Sequence, residues 1–167
     1  LDNRIYAKRR EGGPEGVARE ILNVAIMQSY YTDSRAAEFD RRFRTSFSGT
    51  GAAPTNYSPV SLVMRTEPTQ SIGGTLRAEY DTQFMALRTI GAEGTYEVGG
   101  WLETRGGWSQ RRFIEELPGF NDPRRLDHYL NSFTAVQSPG NAVGGIYSFN
   151  YDILRSRHLL QRIMVYY

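Results

Sequence analysis

SIGGTLRAEYD (Ser71–Asp81) alternates without a break. Ile72, Gly74, Leu76, Ala78 and Tyr80 fall on one side of an extended chain, and Gly73, Thr75, Arg77, Glu79 and Asp81 on the other. Successive side chains of a strand point to opposite faces, so the stretch has one apolar and one charged face. Helical spacing would scatter the same residues around a cylinder. Two environments fit such a strand. Its apolar side rests either on a soluble core or on lipid, with the charged side in a watery lumen.

The same alternation recurs along the chain and predicts about nine strands. They are Leu1–Arg10, Val17–Tyr31, Ser58–Glu67, Ser71–Asp81, Met85–Tyr96, a mixed sixth strand running to Arg112, Asn131–Gln137, Val143–Asp152 and Leu159–Tyr167. Gly- and Pro-rich turns separate several of them: EGGPEG (Glu11–Gly16), Gly99-Gly100 and SPGN (Ser138–Asn141). Two long polar segments interrupt the series, Thr32–Tyr57 and Ile114–Leu130. The first half of the former suits a short helix; PGFNDPRRLD (Pro118–Asp127) in the latter either folds into a barrel mouth or covers it. Tight turns between neighbours make an antiparallel meander the simplest topology. The long segments follow strands two and six, so a meander places both on one side of the sheet and the short turns after strands one, three, five and seven on the other. Outer-membrane barrels share that asymmetry, and strands of about ten residues match a membrane crossing. Tyr30, Tyr31, Tyr57, Trp108, Phe113, Tyr151 and Tyr167 lie near strand ends, where aromatics form interface girdles or simply pack across strands.

Composition narrows the function classes. The chain has 167 residues, 11 Tyr, 8 Phe and 17 Gly, a net charge of +2 and no cysteine. Disulfide frameworks, Cys-based zinc sites and thiol catalysis are excluded for this stretch. The arginines are scattered and often beside acids, which argues against nucleic-acid binding. A negative mean hydropathy leaves a barrel open, because only alternate strand residues face lipid. His128 and His158 have no second histidine at metal-binding spacing, and Gly49-Thr50-Gly51 lacks the Lys-Ser/Thr of a phosphate loop. No Gly-x-Ser-x-Gly elbow occurs. Neither an enzyme activity nor a cofactor or metal is expected.

LDNRIYAK (Leu1–Lys8), REILNVAIMQSYYTD (Arg19–Asp33) and GGIYSFNYDILRSRHLLQRIMVYY (Gly144–Tyr167) together resemble the C-terminal half of the barrel in the LPS-assembly outer-membrane protein family, LptD. The family's N-terminal periplasmic domain and the cysteine pair that follows its last such stretch have no counterpart here. The resemblance therefore implies that residues 1–167 are a partial LptD-like β-barrel domain, truncated at both ends. It implies an all-β fold, an antiparallel meander forming part of a transmembrane outer-membrane barrel. It also implies residence in the cell outer membrane and a role in transporting lipopolysaccharide and inserting it into the outer leaflet. The implied partners are lipopolysaccharide, an LptE-like lipoprotein plug, periplasmic Lpt bridge components and membrane lipid, with no nucleic acid.

The polar residues expected to face the lumen are Arg77, Glu79, Asp81, Glu103, Arg105, Asn150 and Asp152. They either shape a path for an anionic amphiphile or brace adjacent strands through ion pairs. The rival readings are a soluble β-sandwich that binds carbohydrate, an outer-membrane enzyme, and another porin or adhesin barrel. A sandwich would bury Leu22, Val24, Ile26, Leu76 and Tyr80 against a second sheet. An enzyme would set a Ser or Asp beside one of the histidines in a cleft.

Overall fold

A computed structural model describes residues 1–9, 17–39, 55–117, 119–140 and 142–167. The turn Glu11–Gly16 and the second half of the first long segment fall outside the described residues. The chain forms one sheet of nine antiparallel strands in meander order. These are β1 (Asp2–Arg9), β2 (Val17–Met27), β3 (Val60–Thr66), β4 (Ile72–Asp81), β5 (Ala86–Val98), β6 (Leu102–Arg111), β7 (His128–Gln137), β8 (Gly144–Asp152) and β9 (Arg157–Tyr166). Among the described residues β1 and β9 do not pair with one another, so the sheet is open. There is no α-helix among them, only two short 3-10 turns at Ser34–Phe39 and Pro123–Arg125.

Several strand bounds differ from expectation: β2 ends at Met27 rather than Tyr31, and β9 starts at Arg157 rather than Leu159. β7 starts at His128 rather than Asn131, because Tyr129 and Leu130 continue the ladder to Asp152 and Tyr151. Gly99 and Gly100 reverse the chain into β6 at φ 53° and 69°, with Trp101 in the turn. Those angles suit glycine, which has no Cβ to clash.

Register turns the sequence alternation into two surfaces. Val24, Met64, Leu76, Ala92, Trp108, Leu130, Tyr151 and His158 are partners in succession from β2 to β9, giving one largely apolar row across the sheet. Ile26, Leu62, Ala78 and Ile90 make the adjacent row. On the opposite face Ser61, Glu79, Thr89 and Arg111 align, as do Thr75, Glu93, Gly107, Asn131 and Asn150. All the connections after even-numbered strands share one end of the sheet, and these include both long ones.

The buried apolar cluster is not on the apolar face. It consists of Ile114, Leu117 and Phe120 from the connection between β6 and β7, with Phe84 and Ala86 packed against it. This segment reads as polar in sequence, yet Leu117 and Phe120 are fully buried. It folds back on itself through Leu117 N–H to the Ile114 carbonyl (3.2 Å) and Ile114 N–H to the Phe120 carbonyl (3.1 Å).

Two turns at the same end are built alike. Asp81 closes β4 and Asp152 closes β8; each follows a tyrosine. The Asp81 carboxylate accepts from the N–H groups of Gln83 (2.8 Å) and Phe84 (3.1 Å), and Asp152 accepts from the Arg155 N–H (3.1 Å). Four residues after each aspartate the chain takes a positive φ, 48° at Met85 and 50° at Ser156. An extra residue then enters the next strand, Arg88 in β5 and Leu159 in β9, and shifts the register. A carboxylate that gathers backbone donors lets the turn form without glycine.

Candidate functional site: the polar face and its capped end

A cavity of about 580 Å³ opens on the polar face, lined from β2 to β7. Its charged walls come from Arg77, Glu79, Glu93, Arg111 and Asp127, with Ser109 and Asn131 between them. Strand alternation aims those of β4, β5, β6 and β7 inward, and Asp127 joins them from the connection before β7. Gly107 clears space within the wall: a Cβ there would come within 2.6 Å of the Asn131 amide oxygen. Arg77 Nη1 lies 3.5 Å from Glu93 Oε2, with both side chains more than half exposed. Arg111 pairs with Asp127 at 3.3 Å. Charges of both signs are interleaved, so the wall suits a polar solute with many hydrogen-bonding groups better than a bare anion.

One end of this face is closed by the β6–β7 connection. The Phe120 ring lies between two guanidinium groups, Arg88 at 5.8 Å and Arg111 at 5.3 Å from its centroid. Guanidinium planes on an aromatic face gain from its quadrupole, more so when water is excluded. Arg111 Nη1 also donates to the carbonyls of Gly119 (3.4 Å) and Arg125 (3.3 Å). Arg88 Nε donates to Asp81 at 2.7 Å with both side chains about 5% exposed or less. Arg155 donates to Asp152 at 2.8 Å and to the Arg124 carbonyl, so the β8–β9 turn holds the far side of the cap. Hydrogen bonding to Asp152 raises the pKa of Arg155 above its ordinary value, outweighing partial burial. Of the segment Pro118–Asp127, open in sequence between entering the mouth and covering it, the described residues pack onto the end of the polar face.

The seven expected lumen residues divide accordingly. Arg77 and Glu79 line the cavity. Glu103 and Arg105 form an ion pair on the same face but outside the cavity lining, and Arg105 stacks on Phe133 at 5.8 Å. Asn150 lies opposite Asn131, with its side-chain oxygen buried and without a partner. Asp81 and Asp152 are corrected in one respect: they do not border open lumen. Each is buried at a turn, 4% and 0% exposed, because its oxygens serve backbone N–H groups and an arginine.

Sequence reasoning missed Arg88, Arg111, Phe120 and Asp127. The repeated Tyr-Asp at 80–81 and 151–152 was the available signal for the turns; nothing local marked Phe120 as buried. It also missed that the inward face turns apolar towards β9. Phe133, Ala135, Ile146, Met164 and Tyr166 share that face, and the Tyr166 ring covers Gly144.

The residues that discriminate the rival readings are also placed. Leu22, Val24, Ile26, Leu76 and Tyr80 lie on one face and none is buried; no second sheet covers them among the described residues. His128 accepts from Trp108 Nε1 at 2.8 Å, and among the described residues no Ser or Asp oxygen bonds either imidazole. No known family model matches the chain, and no curated protein matches it.

Proposed function

We propose that the nine strands are part of the wall of an outer-membrane barrel that transports lipopolysaccharide and inserts it into the outer leaflet. The observation that carries the reading is the uncovered apolar face. A largely apolar row crosses the sheet from β2 to β9 and a shorter one lies beside it from β2 to β5, with nothing packed on them among the described residues, while the opposite face holds a charged cavity. Such a face in water would be an aggregation surface; against hydrocarbon it is the favourable one. The backbone groups of strand edges need partners in lipid, so the open edges at β1 and β9 fit a partial wall completed by further strands.

In this reading the chemistry is passage rather than bond making. The interleaved charges of Arg77, Glu79 and Glu93 meet sugar hydroxyls and phosphates, and the cap over Arg88 and Arg111 closes the outward end. A lipoprotein plug inside and a periplasmic bridge below are the partners the resemblance implies.

Photo-crosslinking amino acids placed at Arg77 and Leu76, in the chain expressed in a Gram-negative envelope, test this. Lipopolysaccharide captured at position 77, with phospholipid alone at 76, is the expected outcome. Recovery of the chain in the soluble fraction would favour a sandwich. Membrane insertion with small-solute conductance and no lipopolysaccharide at position 77 would favour a porin.

A further inference from the structure

Strand register leaves a gap in the middle of the polar face. Gly91 of β5 lies between Arg77 of β4 and Ser109 of β6. Thr89 and Glu93, two residues either side of it along β5, share its face. A Cβ at Gly91 would meet nothing closer than the Trp108 carbonyl oxygen at 3.4 Å, so the gap is space rather than a close approach of chain. Arg77, Glu93 and Ser109 stand around it, with Glu79 one step along the face opposite Thr89. The cavity that contains them, about 580 Å³, lies within the roughly 300–1,000 Å³ of small-ligand sites. Tyr129 OH donates to Asp127 at 3.0 Å, which fixes its ring in the same lining.

The charges of that lining do not balance. Two arginines face three carboxylates. Arg77 pairs with Glu93 and Arg111 with Asp127, so the carboxylate left over is Glu79. Arg88 and the Thr89 hydroxyl act on its charge, but Arg88 Nε and Nη2 are taken by Asp81. Glu79 Oε2 is buried and accepts no hydrogen bond from any described residue. A carboxylate with acceptor capacity to spare in a cavity wall is stabilised by donors from a ligand. A phosphate brings only acceptors and a like charge, and like charges brought together cost affinity. An ammonium group suits Glu79 but meets the Arg77 guanidinium across the gap. A hydroxyl is both donor and acceptor, so it can donate to Glu79 and accept from Arg77 or Ser109. The apolar face of a sugar ring suits the bare backbone at Gly91 and the ring of Tyr129.

We propose that the gap over Gly91 is a seat for a neutral saccharide, with Glu79 accepting from its hydroxyls and Arg77 and Ser109 completing the ring of partners. The seat narrows the chemistry of the passage at this level of the wall to uncharged sugar. It rests on the membrane-wall reading, which puts the polar face inside a barrel.

The intact barrel of which these strands are read as a part, purified from its own envelope in detergent, tests it with two soluble probes, maltotriose and glucose 6-phosphate, followed by saturation-transfer NMR. Maltotriose should bind more tightly than glucose 6-phosphate. Glu79→Ala should weaken maltotriose roughly tenfold, the scale of a hydrogen bond to a charged group. Glu79→Gln keeps an acceptor oxygen and should lose less. Gly91→Val places a strand-forming side chain in the gap and should abolish maltotriose binding. Glucose 6-phosphate bound as tightly as maltotriose overturns the proposal, and so does maltotriose binding that survives Glu79→Ala or Gly91→Val unchanged. Equal losses in the Ala and Gln variants overturn it in favour of a cationic group. Should the variants fail to assemble, the ranking of the two probes on the unaltered barrel decides. Maltotriose bound by a barrel that yields no lipopolysaccharide at position 77 keeps the seat and removes the transport reading. Capture at position 77 with no maltotriose bound does the opposite.

Discussion

The β4–β5 and β8–β9 turns share one scaffold and differ in what covers them. Both start from a buried aspartate, take a positive φ four residues on and end in a register shift. Over the first lies the Phe120 cap, and Arg88 is about as buried as Asp81. At the second, no aromatic ring among the described residues stacks on Arg155, which stays about one-third exposed beside a buried Asp152. The local sequence makes the turn, whereas the cover sets how much its ion pair matters. Water screens the open pair and leaves the closed one almost fully dependent on its partner.

The largest effect is expected at the closed pair. Asp81→Ala strips Arg88 of its carboxylate and the turn of two N–H acceptors, and should cost about 3–5 kcal/mol in urea unfolding of the reconstituted chain. Replacing both partners with apolar residues, Asp81→Leu with Arg88→Met, should recover much of that loss, because no unpaired charge remains. A double variant no better than Asp81→Ala would mean that the turn hydrogen bonds, not the burial of Arg88, carry the difference.

Next comes the cover itself. Phe120→Ala should cost about 3 kcal/mol through the cavity it leaves and the two lost guanidinium stacks. By loosening the connection it should also speed trypsin cleavage after Arg124 and Arg125, whose side chains are already exposed, read by limited proteolysis. Phe120→Leu should restore most of the protection. If proteolysis of the unaltered chain is already fast at these arginines, the cap does not hold as described.

At the open turn, Arg155→Ala should lower the unfolding midpoint by clearly less than Asp81→Ala. Water replaces the lost guanidinium, and Asp152 keeps its bond to the residue 155 N–H. Equal losses at the two turns would erase the comparison. The smallest change is expected on the open wall. Arg77→Ala breaks only the exposed pair with Glu93 and should move stability by roughly 0–1 kcal/mol. The same variant should still alter capture of a polar ligand in the cavity, since Arg77 lines it.

Much of the sheet was legible in advance because period-two alternation is a local property. Ser71–Asp81 alone separates its faces, and β4 runs from Ile72 to Asp81 with that assignment. Alternation equally placed Arg77 and Glu79 on the wall of the cavity. It misread Asp81 and Asp152, since a polar residue at a strand end looks the same whether it faces water or gathers the N–H groups of a turn. It also passed over Met164 and Tyr166, whose inward direction follows only once the extra residue at Leu159 has shifted β9 against β8.

The sequence by itself determined the strands, their meander order and the chemical contrast between the faces. Each of these depends on neighbours within a few residues, through side-chain direction and turn geometry. Tertiary structure alone decided that a polar-looking connection buries Leu117 and Phe120, that Arg88 and Arg111 flank one ring, and that the two histidines meet aromatic partners on one face. Those outcomes join residues brought together by register and by a connection folding back over strand ends. Burial is a property of what lies above a side chain, and no run of neighbouring residues encodes that.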